Sequence, residues 1–531
     1  MPLSPHGGYL SATGDPHTPA PPDVSSQEYD AVVIGSGFGG AMAARELVAA
    51  GWRVCMVERG GWVERGAHNW DPEGAFTQTP HYGAESAYRV RQGHRWGTQS
   101  LCTCVGGPSV FYGGASFRFR ERDFDPDPEI AGATGAEWPL DYAELEPFYT
   151  EAERILGVAG AAGEDPTEPP RSAPYPHPPM PLAAASRRIA DAARSLGLHP
   201  FRIPLAISAE SCRACTTCDA FACAVGAKND VATRVIPGLL AAGMELRPET
   251  VAVRVVLLGG RAAGVECVAR ATGERAVIRA GTVVLAAGAL ATPHLLLTSG
   301  AQHANPAGAA VGRYLMRHCN AMTYGVFPRR PNPAGEHHKQ VALHDFYWGD
   351  PAGDAPRGKL GNLQQVMTPP AGLLAHVLPK PVARMLAPAV EHLTGLLAVA
   401  EDQPRVENGV EIDAAATDAF GLPGLRVRHR YTRRDLAARA ALVRRAKRIL
   451  RRAGAGLTVT WKVSTFSHAV GTVRMGRDER TSPLDRWCAF RGLENLYVVD
   501  GSVMPTSAGV NPSLTIAANA LRVGRHLAEA R

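Results

Sequence analysis

Three glycines, Gly35, Gly37 and Gly40, have the spacing G-x-G-x-x-G and directly follow a short apolar run. In such a turn the first glycine permits the tight bend and the second lets a pyrophosphate approach the backbone. The third lets a helix pack closely on a strand. The N–H groups at the start of that helix then face the phosphates. The spacing therefore predicts a phosphate-binding turn.

An acidic residue, Glu58, lies 23 residues after Gly35 and ends a second apolar run. A carboxylate at this point accepts hydrogen bonds from a ribose diol and disfavours a 2′-phosphate. The glycine turn and this acid together predict a dinucleotide site. They do not by themselves decide between FAD and NAD.

A second predicted helix start lies far from the first in the sequence. Asn495–Val499 is a buried strand ending at Asp500, and Asn511–Leu521 begins a helix with Pro512 in its first turn. A helix N-terminus beside a flavin ring stabilises the anionic reduced form, whereas a nicotinamide site needs no such additional piece. This segment therefore favours FAD.

Parallel strands are expected to position these residues. Tyr29–Ile34 predicts a strand, Ala41–Ala50 a helix and Arg53–Val57 a second strand, which together form a βαβ unit. Thr282–Ala287 predicts another buried strand. We predict an α/β fold in which a Rossmann-like FAD-binding domain carries an inserted α+β substrate domain. The predicted boundaries are 1–28 for a disordered leader, 29–123, 205–322 and 463–531 for the FAD-binding domain, and 124–204 and 323–462 for the substrate-binding domain.

Length and composition exclude several classes of protein. The chain has 531 residues, of which 45% are hydrophobic, and this suits two domains. Its formal net charge of +6 is not gathered in a basic run, so nucleic acid is not an expected partner. No transmembrane segment is predicted, because the most apolar stretch, Gly372–Ala400, carries charges and prolines and predicts a broken amphipathic helix. The start of the chain lacks an export signal, which predicts a cytoplasmic protein with free thiols.

Four of the ten cysteines form a cluster, at Cys212, Cys215, Cys218 and Cys223. Their spacing approaches the C-x₂-C-x₂-C-x₃-C-P pattern of ferredoxins but differs in the last interval and lacks the proline. Four thiolates can also bind zinc. The spacing alone leaves a metal site and simple packing as alternatives.

Several motifs in a fixed order give the chain a resemblance to a known family. They are Gly35–Gly40 with Glu58, Gly106–Gly114, Trp138–Tyr142, Ala287–Gly300, Val311–His318, His468–Thr472 and Asp500–Thr515. With these motifs the chain resembles the glucose–methanol–choline (GMC) oxidoreductases, whose members bind FAD. The likeness extends over nearly the whole chain from Tyr29 onward.

The resemblance implies a set of FAD-binding residues. They are Gly35, Gly37, Phe38, Gly39, Gly40, Glu58, Gly107, Ser109, Tyr112, Gly113, Val251, Ala252, Ala287, Asp500, Gly501, Asn511, Pro512 and Ser513. Tyr112 is a departure, because many members have Asn there; Tyr112 either holds the flavin through its hydroxyl or shapes the substrate side. The loop has no His at the position where choline-oxidase-like members link their flavin, which implies noncovalent FAD. Cysteine-rich loops followed by Gly-Ala-Lys, here Gly226–Lys228, are similar to those of bacterial members and imply packing near the flavin without a metal.

The resemblance also implies a catalytic pair, His468 and Asn511, similar to that of cholesterol oxidases and pyranose oxidases. Oxidation of a CH–OH group to a carbonyl removes a hydroxyl proton and a hydride, and flavin N5 accepts the hydride. A histidine suits the role of base because its pKa lies near neutrality. We predict that His468 takes the proton and that Asn511 hydrogen-bonds the substrate oxygen and aligns the carbon.

Substrate and partners are less sharply predicted than the chemistry. The apolar Gly372–Ala400 stretch leans toward a sterol-like, polycyclic or long-chain alcohol, and a sugar or glycoside is the other predicted substrate. The electron acceptor is oxygen or another compound, and the oligomeric state is open. Two alternative functions are a redox-silent lyase of the same family and an electron-relay subunit with a metal at Cys212–Cys223.

Overall fold

The structure is a computed structural model that describes residues 29–70, 88–92, 95–99, 102–125, 127–350, 355–374 and 378–530. The predicted leader, residues 1–28, lies outside the described residues. The strands are β1 (Tyr29–Ile34), β2 (Val54–Val57), β3 (Tyr88–Gln92), β4 (Arg95–Gln99), β5 (Phe201–Arg202), β6 (Glu245–Arg247), β7 (Thr250–Leu258), β8 (Arg261–Ala269), β9 (Arg275–Leu285), β10 (Ala321–Val326), β11 (Val341–Leu343), β12 (Gly361–Val366), β13 (Leu393–Ala400), β14 (Gly409–Thr417), β15 (Pro423–His429), β16 (Leu457–Lys462) and β17 (Leu496–Val498). The helices are α1 (Phe38–Ala49), α2 (Pro128–Ala131), α3 (Tyr142–Ile155), α4 (Ala184–Arg194), α5 (Val231–Arg234), α6 (Ile236–Ala241), α7 (Gly288–Thr298), α8 (Lys380–Val390), α9 (Arg433–Arg452) and α10 (Ser513–Glu529).

The first sheet has the strand order β6–β2–β1–β9–β8–β7, and β17 also pairs with β9. β1 runs parallel to β2 and to the second half of β9, and β17 runs parallel to β9 as well. Because these four strands point the same way, their carboxyl ends meet at one edge, where open α/β sheets bind their ligands. This edge carries the glycine turn, Glu58, Ala287 and Asp500.

Small residues let α1 pack tightly between this sheet and α10. Its buried face includes Gly39, Gly40, Ala41, Ala43 and Ala44. α10 matches it with a glycine of its own, since a Cβ atom at position 524 would lie 2.9 Å from the carbonyl oxygen of Ala43. The two helices that begin beside the proposed dinucleotide site are therefore held against each other.

The second sheet is antiparallel and has the order β16–β10–β13–β12–β11–β5. One face packs on α9, where Leu396 and Ala398 of β13 share a buried cluster with Leu442 and Ile449. On the other face Gln364 of β12 hydrogen-bonds the side chain of Asn511, two residues before α10. The sheet is thus positioned to form one side of a site between the two sheets.

A third sheet, in the order β14–β15–β3–β4, joins strands from both predicted domains. β15 runs parallel to β3, although β3 belongs to the segment 29–123 and β15 to the segment 323–462. The predicted fold class, with a Rossmann-like parallel sheet and a separate substrate sheet, is confirmed. The domain boundaries stay a prediction.

The predicted helix at Gly372–Ala400 is wrong in its second part. A helix is present at α8, but Leu393–Ala400 is the strand β13. β13 pairs with β10 on one side and β12 on the other, and most of its residues are buried. A strand covered on both faces is continuously apolar, so its sequence lacks the alternation that distinguishes a strand from a buried helix. Among the described helices, none is long and apolar enough to cross a membrane.

Candidate active site

The glycine turn between β1 and α1 is tight at three of its four glycines. A Cβ atom on Gly35 would lie 2.4 Å from the backbone oxygen that follows β9, and one on Gly39 would lie 2.3 Å from the oxygen that follows β17. A Cβ on Gly40 would lie 1.9 Å from the backbone oxygen of Gly35. By contrast, a Cβ on Gly37 meets no atom within 4 Å. The open space at Gly37, beside the N-terminus of α1, has the form that an approaching pyrophosphate requires.

Glu58 is buried at the end of β2, and protein donors hold its carboxylate in place. It accepts hydrogen bonds from the Ser36 hydroxyl at 2.6 Å, from the Ser36 N–H at 3.1 Å and from the Gly60 N–H at 3.0 Å. Burial raises the pKa of Glu58 above its ordinary value. A carboxylate has about four lone-pair positions, so it can also accept from a ribose hydroxyl.

The loop Gly106–Gly114 faces the glycine turn. Gly107 has φ +52°, and a Cβ there would lie 3.2 Å from the Cα of Gly37. The Gly106 N–H donates to the Ser36 hydroxyl oxygen at 2.9 Å, which ties the loop to the turn. The Ser109 hydroxyl donates to the carbonyl of Gly106 at 2.6 Å and so stabilises the loop from within.

Asp500 joins the end of β17 to the start of α7. Its carboxylate accepts from the Gly288 N–H at 2.9 Å, from the Ser502 N–H at 2.8 Å and from the Thr292 hydroxyl. Burial raises the pKa of this carboxyl. The contacts hold the carboxyl ends of β9 and β17 in a fixed relation, at the edge that carries the glycine turn.

The remaining predicted cofactor positions lie on the same edge or on the segments that follow it. Ala287 immediately precedes α7, and Ser513 begins α10 and donates its hydroxyl to the carbonyl of Ala115 at 3.3 Å. Val251 and Ala252 lie on β7, whose first residue donates its N–H to the carbonyl of Glu58 at 2.9 Å. The first turn of α10 contains no acidic residue, so its N–H groups are available to an anionic ring.

The predicted catalytic residues meet although they are 43 positions apart: Nδ2 of Asn511 lies 3.3 Å from Nε2 of His468. The amide oxygen of Asn511 accepts from Nε2 of Gln364 at 2.7 Å. On its other side, Nδ1 of His468 lies 2.9 Å from Nδ1 of His318. Asn511 and His468 are thus in direct hydrogen-bond contact, and a hydroxyl oxygen beside this pair could reach both a base and a donor.

The surroundings of His468 keep its ring neutral. Burial, followed by the electrostatic effects of His318 and Lys339, lowers the pKa of His468 to about 3. Lys339 is itself buried and paired with Asp219. A neutral imidazole has a lone pair that can take a proton, but with this lowered pKa the ring is a weaker base than the near-neutral histidine that the sequence predicts.

Models of the GMC oxidoreductase family match residues 29–320 and 404–520 of the chain. The chain belongs to the GMC oxidoreductase family. Membership confirms the resemblance and the predicted class of enzyme, an oxidoreductase acting on CH–OH donors. The members of this family are flavoproteins that bind FAD, and the open turn at Gly37 with the two helix N-termini fits such a ligand.

Three curated relatives span nearly the whole chain of this GMC protein. A 6‴-hydroxyparomomycin C oxidase of Streptomyces lividus is 32% identical and covers 96% of this chain and 92% of its own. A paromamine 6′-oxidase of Streptomyces fradiae is also 32% identical, over 94% and 91% of the two chains. A 2-methyl-1,2-propanediol dehydrogenase of Mycolicibacterium austroafricanum is 30% identical, over 95% and 96%.

Solved structures share the GMC fold at lower identity. A pyridoxine 4-oxidase from Mesorbium loti superposes with a TM-score of 0.65 at 20% identity and covers 94% of this chain and 98% of its own. A formate oxidase of Aspergillus oryzae RIB40, studied for its FAD modification, has a TM-score of 0.64 at 16% identity, over 96% and 99% of the two chains. At these identities the likeness concerns the fold alone.

Tyr112, where this GMC chain departs from many members, has its hydroxyl engaged by the protein. The hydroxyl donates to the backbone carbonyl of Asn229 at 2.5 Å, and the ring lies edge-on to Phe38 with 5.3 Å between centroids. Of the two predicted roles, shaping the site with the ring therefore agrees better with the contacts than holding a flavin through the hydroxyl.

The cysteine cluster packs against the Tyr112 loop. All four thiols are free, and among the described residues no group of three or more His, Cys, Asp or Glu side chains is arranged to bind a metal. The buried ammonium of Lys228 instead donates to the carbonyls of Cys218 and Phe221 at 2.7 Å each. The N–H of Ala220 donates to the carbonyl of Phe111 at 2.9 Å, which fastens the cluster to the loop.

Several residues of the site are not predicted from the sequence. Ser36 and Thr292 bind the two acids, Gln364 holds Asn511, and His318 contacts His468. Ser36 occupies a variable position of the glycine motif, and Gln364 lies on a strand with no motif. His318 closes one of the family motifs, which was the one available signal, but nothing in the sequence connects it to His468.

Proposed function

We propose that this protein oxidises a CH–OH group of a polar, sugar-like or polyol substrate to a carbonyl, with noncovalently bound FAD and with His468 as the base. The observation that carries the proposal is the 3.3 Å approach of His468 Nε2 and Asn511 Nδ2. In this scheme the substrate oxygen lies beside the two nitrogens, within hydrogen-bond reach of both, donating its proton to His468 and accepting from Asn511. When bound, FAD supplies the acceptor for the hydride that leaves the substrate carbon.

The neighbours of the catalytic pair favour a polar substrate. Gln364 donates to Asn511 and to the amide oxygen of Asn362, and its own amide oxygen has no hydrogen-bond partner among the described residues. A buried acceptor without a partner costs free energy, which a substrate hydroxyl would recover. Lys339, which is paired with Asp219, is a charged group near enough to His468 to lower its pKa. Among the predicted substrates, these groups favour a sugar or glycoside over a sterol-like or long-chain alcohol.

The names of the relatives agree with this choice. They refer to a diol and to the 6′ and 6‴ positions of paromamine and hydroxyparomomycin C, and to no sterol or long-chain alcohol. The exposed side of α8, where Met385 is 71% exposed, offers no enclosed apolar surface that would argue for a lipid-like substrate.

Noncovalent attachment of FAD is part of the proposal. The loop Gly106–Gly114 contains neither His nor Cys, and the hydroxyl of Tyr112 is bonded to a backbone carbonyl. Acid or heat denaturation should therefore release the yellow chromophore into the supernatant, and a flavin that stays with the precipitated chain would contradict this part. We also propose a reducing, cytoplasmic location, in which Cys212, Cys215, Cys218 and Cys223 stay as free thiols.

The test is anaerobic mixing of the FAD-loaded enzyme with a panel of sugars, glycosides, small diols, sterols and long-chain alcohols. Bleaching of the flavin by a polyhydroxylated compound supports the proposal. Bleaching by sterols or long-chain alcohols alone would reverse the substrate assignment. Cleavage of a cyanohydrin without bleaching of the flavin would instead support the alternative function of a redox-silent lyase. Readmission of oxygen or of an artificial acceptor to the reduced enzyme then identifies the electron acceptor.

A further inference from the structure

We propose that His318 is a positioning residue that fixes the tautomer of His468, so that the lone pair of His468 Nε2 faces the substrate hydroxyl. The inference rests on the proposed role of His468 as base. It concerns a residue that contacts neither substrate nor cofactor in the proposed scheme. His318 acts through its neighbour, and the contacts on both sides of its ring decide how.

The outer nitrogen of His318 must carry a hydrogen. Nε2 lies 3.1 Å from the carbonyl oxygen of Ser507 and 2.9 Å from that of Ala508. Backbone carbonyls only accept hydrogen bonds, so Nε2 of His318 is the donor to both. The tautomer of His318 follows from this fixed pair of acceptors, and it does not depend on the orientation of any side-chain amide.

The charged groups around His318 leave its ring neutral. Its side chain is buried, and burial lowers its pKa although Asp402 opposes that effect. The carboxylate of Asp402 accepts from the N–H groups of Arg317 and His318, from the Ser507 hydroxyl and from Nε2 of His429. A neutral ring with hydrogen on Nε2 has a lone pair on Nδ1.

That lone pair decides the state of His468. The two Nδ1 atoms lie 2.9 Å apart, and one hydrogen is shared between them. Since His318 Nδ1 is the acceptor, Nδ1 of His468 carries the hydrogen and its Nε2 carries the lone pair. This is the nitrogen that Asn511 approaches with its Nδ2 donor. The opposite tautomer would present an N–H to the substrate hydroxyl and would have no means of taking its proton.

The backbone of His318 is held in an uncommon conformation that gives the ring its place. Its φ is +59°, in the left-handed region that a residue with a side chain rarely adopts. Asp402 accepts its N–H at 3.0 Å, and the Tyr431 hydroxyl donates to its carbonyl at 2.7 Å. The ring then lies perpendicular to that of His468, with 5.1 Å between centroids. A strained backbone of this kind persists only where surrounding contacts hold it in place, and it is common at functional sites.

His318 also keeps its role after the proton has moved. A protonated His468 carries hydrogen on both nitrogens, so it continues to donate from Nδ1 to His318 while Nε2 holds the proton taken from the substrate. The same ring bonds the carbonyls at 507 and 508, four and three residues before Asn511. One side chain thus contacts the segments that carry both members of the catalytic pair.

The test compares three variants of the FAD-loaded enzyme. His318→Phe keeps a ring and removes the hydrogen bonds of both ring nitrogens. His318→Gln can place an N–H near the carbonyls at 507 and 508 but presents no acceptor to His468. His318→Asn can place an amide oxygen near the position of Nδ1. We expect the rate constant of anaerobic flavin reduction to fall roughly 100-fold or more in the Phe and Gln variants, with KM changed by less than about threefold, and to recover in part with Asn. Gln activity equal to that of the wild type would reduce His318 to a structural support.

A second readout keeps the inference testable if the variants fail to fold. ¹⁵N NMR of histidine-labelled wild-type protein, with His468 assigned by its loss in His468→Ala, reports which ring nitrogen carries hydrogen. Hydrogen on Nδ1 and a bare Nε2 support the inference, and hydrogen on Nε2 would overturn it. This outcome is separate from the proposed function, which fails if His468→Ala still reduces its flavin at the wild-type rate.

Discussion

Nδ2 of Asn511 lies 3.3 Å from Nε2 of His468, at a point where the segment before α10 meets the loop after β16. Gln364 holds the far side of the amide and His318 the far side of the imidazole. Both members of the pair are therefore oriented by a residue behind them. We propose that His468 takes a proton from the substrate oxygen and that Asn511 donates a hydrogen bond to the same oxygen.

Gln364 is expected to matter because it fixes the amide of Asn511. Gln364→Met keeps the size of the side chain but removes the N–H that Asn511 accepts, which leaves the amide free to turn. Loss of one such hydrogen bond predicts a fall of about tenfold in the rate constant of flavin reduction. The matched control is Gln365→Met on the same strand, whose side chain bonds Ser186 instead. Equal rates in both variants would contradict the assigned role.

Gly37 and Gly39 should respond differently to the same small substitution. Gly37→Ala adds a methyl group in open space, so the protein should keep its stability while FAD binding weakens. Gly39→Ala would bring the new Cβ to 2.3 Å from a backbone oxygen, and it should lower the melting temperature of the FAD-free protein. Thermal unfolding and flavin titration of both variants check this. Full FAD affinity in Gly37→Ala would mean that the pyrophosphate lies elsewhere.

Glu58 is expected to retain FAD through its contact with the ribose. Glu58→Ala should be purified with a substoichiometric flavin content, and it should lose the remaining flavin on dialysis faster than the wild type. Glu64→Ala, at an exposed acid a few residues later, is the control. Absorbance ratios of protein and flavin give the occupancy. Unchanged occupancy in Glu58→Ala would refute the ribose contact.

Acid should destabilise the fold through its buried histidines. Burial lowers the pKa of His337 to about 4 and that of His468 to about 3, whereas an unfolded histidine has a pKa of about 6.5. As the pH falls below about 6.5, the unfolded chain binds protons that the folded chain does not, so stability decreases until the folded pKa is reached. Each group contributes at most about 1.4 kcal/mol per pH unit.

Denaturant unfolding at pH 7 and pH 5 measures this slope. The free energy of unfolding should be lower at pH 5, and His337→Leu should show a smaller difference between the two pH values. The exposed His303 provides the control variant, and His303→Leu should keep the wild-type difference. A His337→Leu slope equal to that of the wild type would contradict the shifted pKa.

Local patterns in the sequence were enough to predict the dinucleotide edge. The glycine turn, Glu58 and the start of α10 each depend on neighbouring residues, and the structure has the turn and Glu58 at the carboxyl ends of the parallel strands β1 and β2. α1 begins at Phe38, three residues before the predicted start, because the glycines are themselves part of its first turn. A glycine turn and a helix start are each determined by a few neighbouring residues, and both can therefore be predicted from the sequence.

Contacts between distant segments were not predictable in the same way. His318 and His468 are 150 positions apart, and Gln364 and Asn511 are 147 apart. Only the packing of the antiparallel sheet against the dinucleotide domain brings them together. The predicted helix at β13 is wrong for a related reason, because a strand buried on both faces lacks the alternation of apolar and polar residues that marks a strand.

The most direct test of His468 as the base is anaerobic stopped-flow reduction of His468→Ala by a substrate that bleaches the wild-type flavin. His303→Ala serves as the matched histidine control. We predict that His468→Ala is purified yellow, with full FAD, and that its rate constant of flavin reduction falls by roughly 10²–10⁴-fold, while His303→Ala behaves as the wild type. Reduction of His468→Ala at the wild-type rate would show that the proton leaves the substrate by another route.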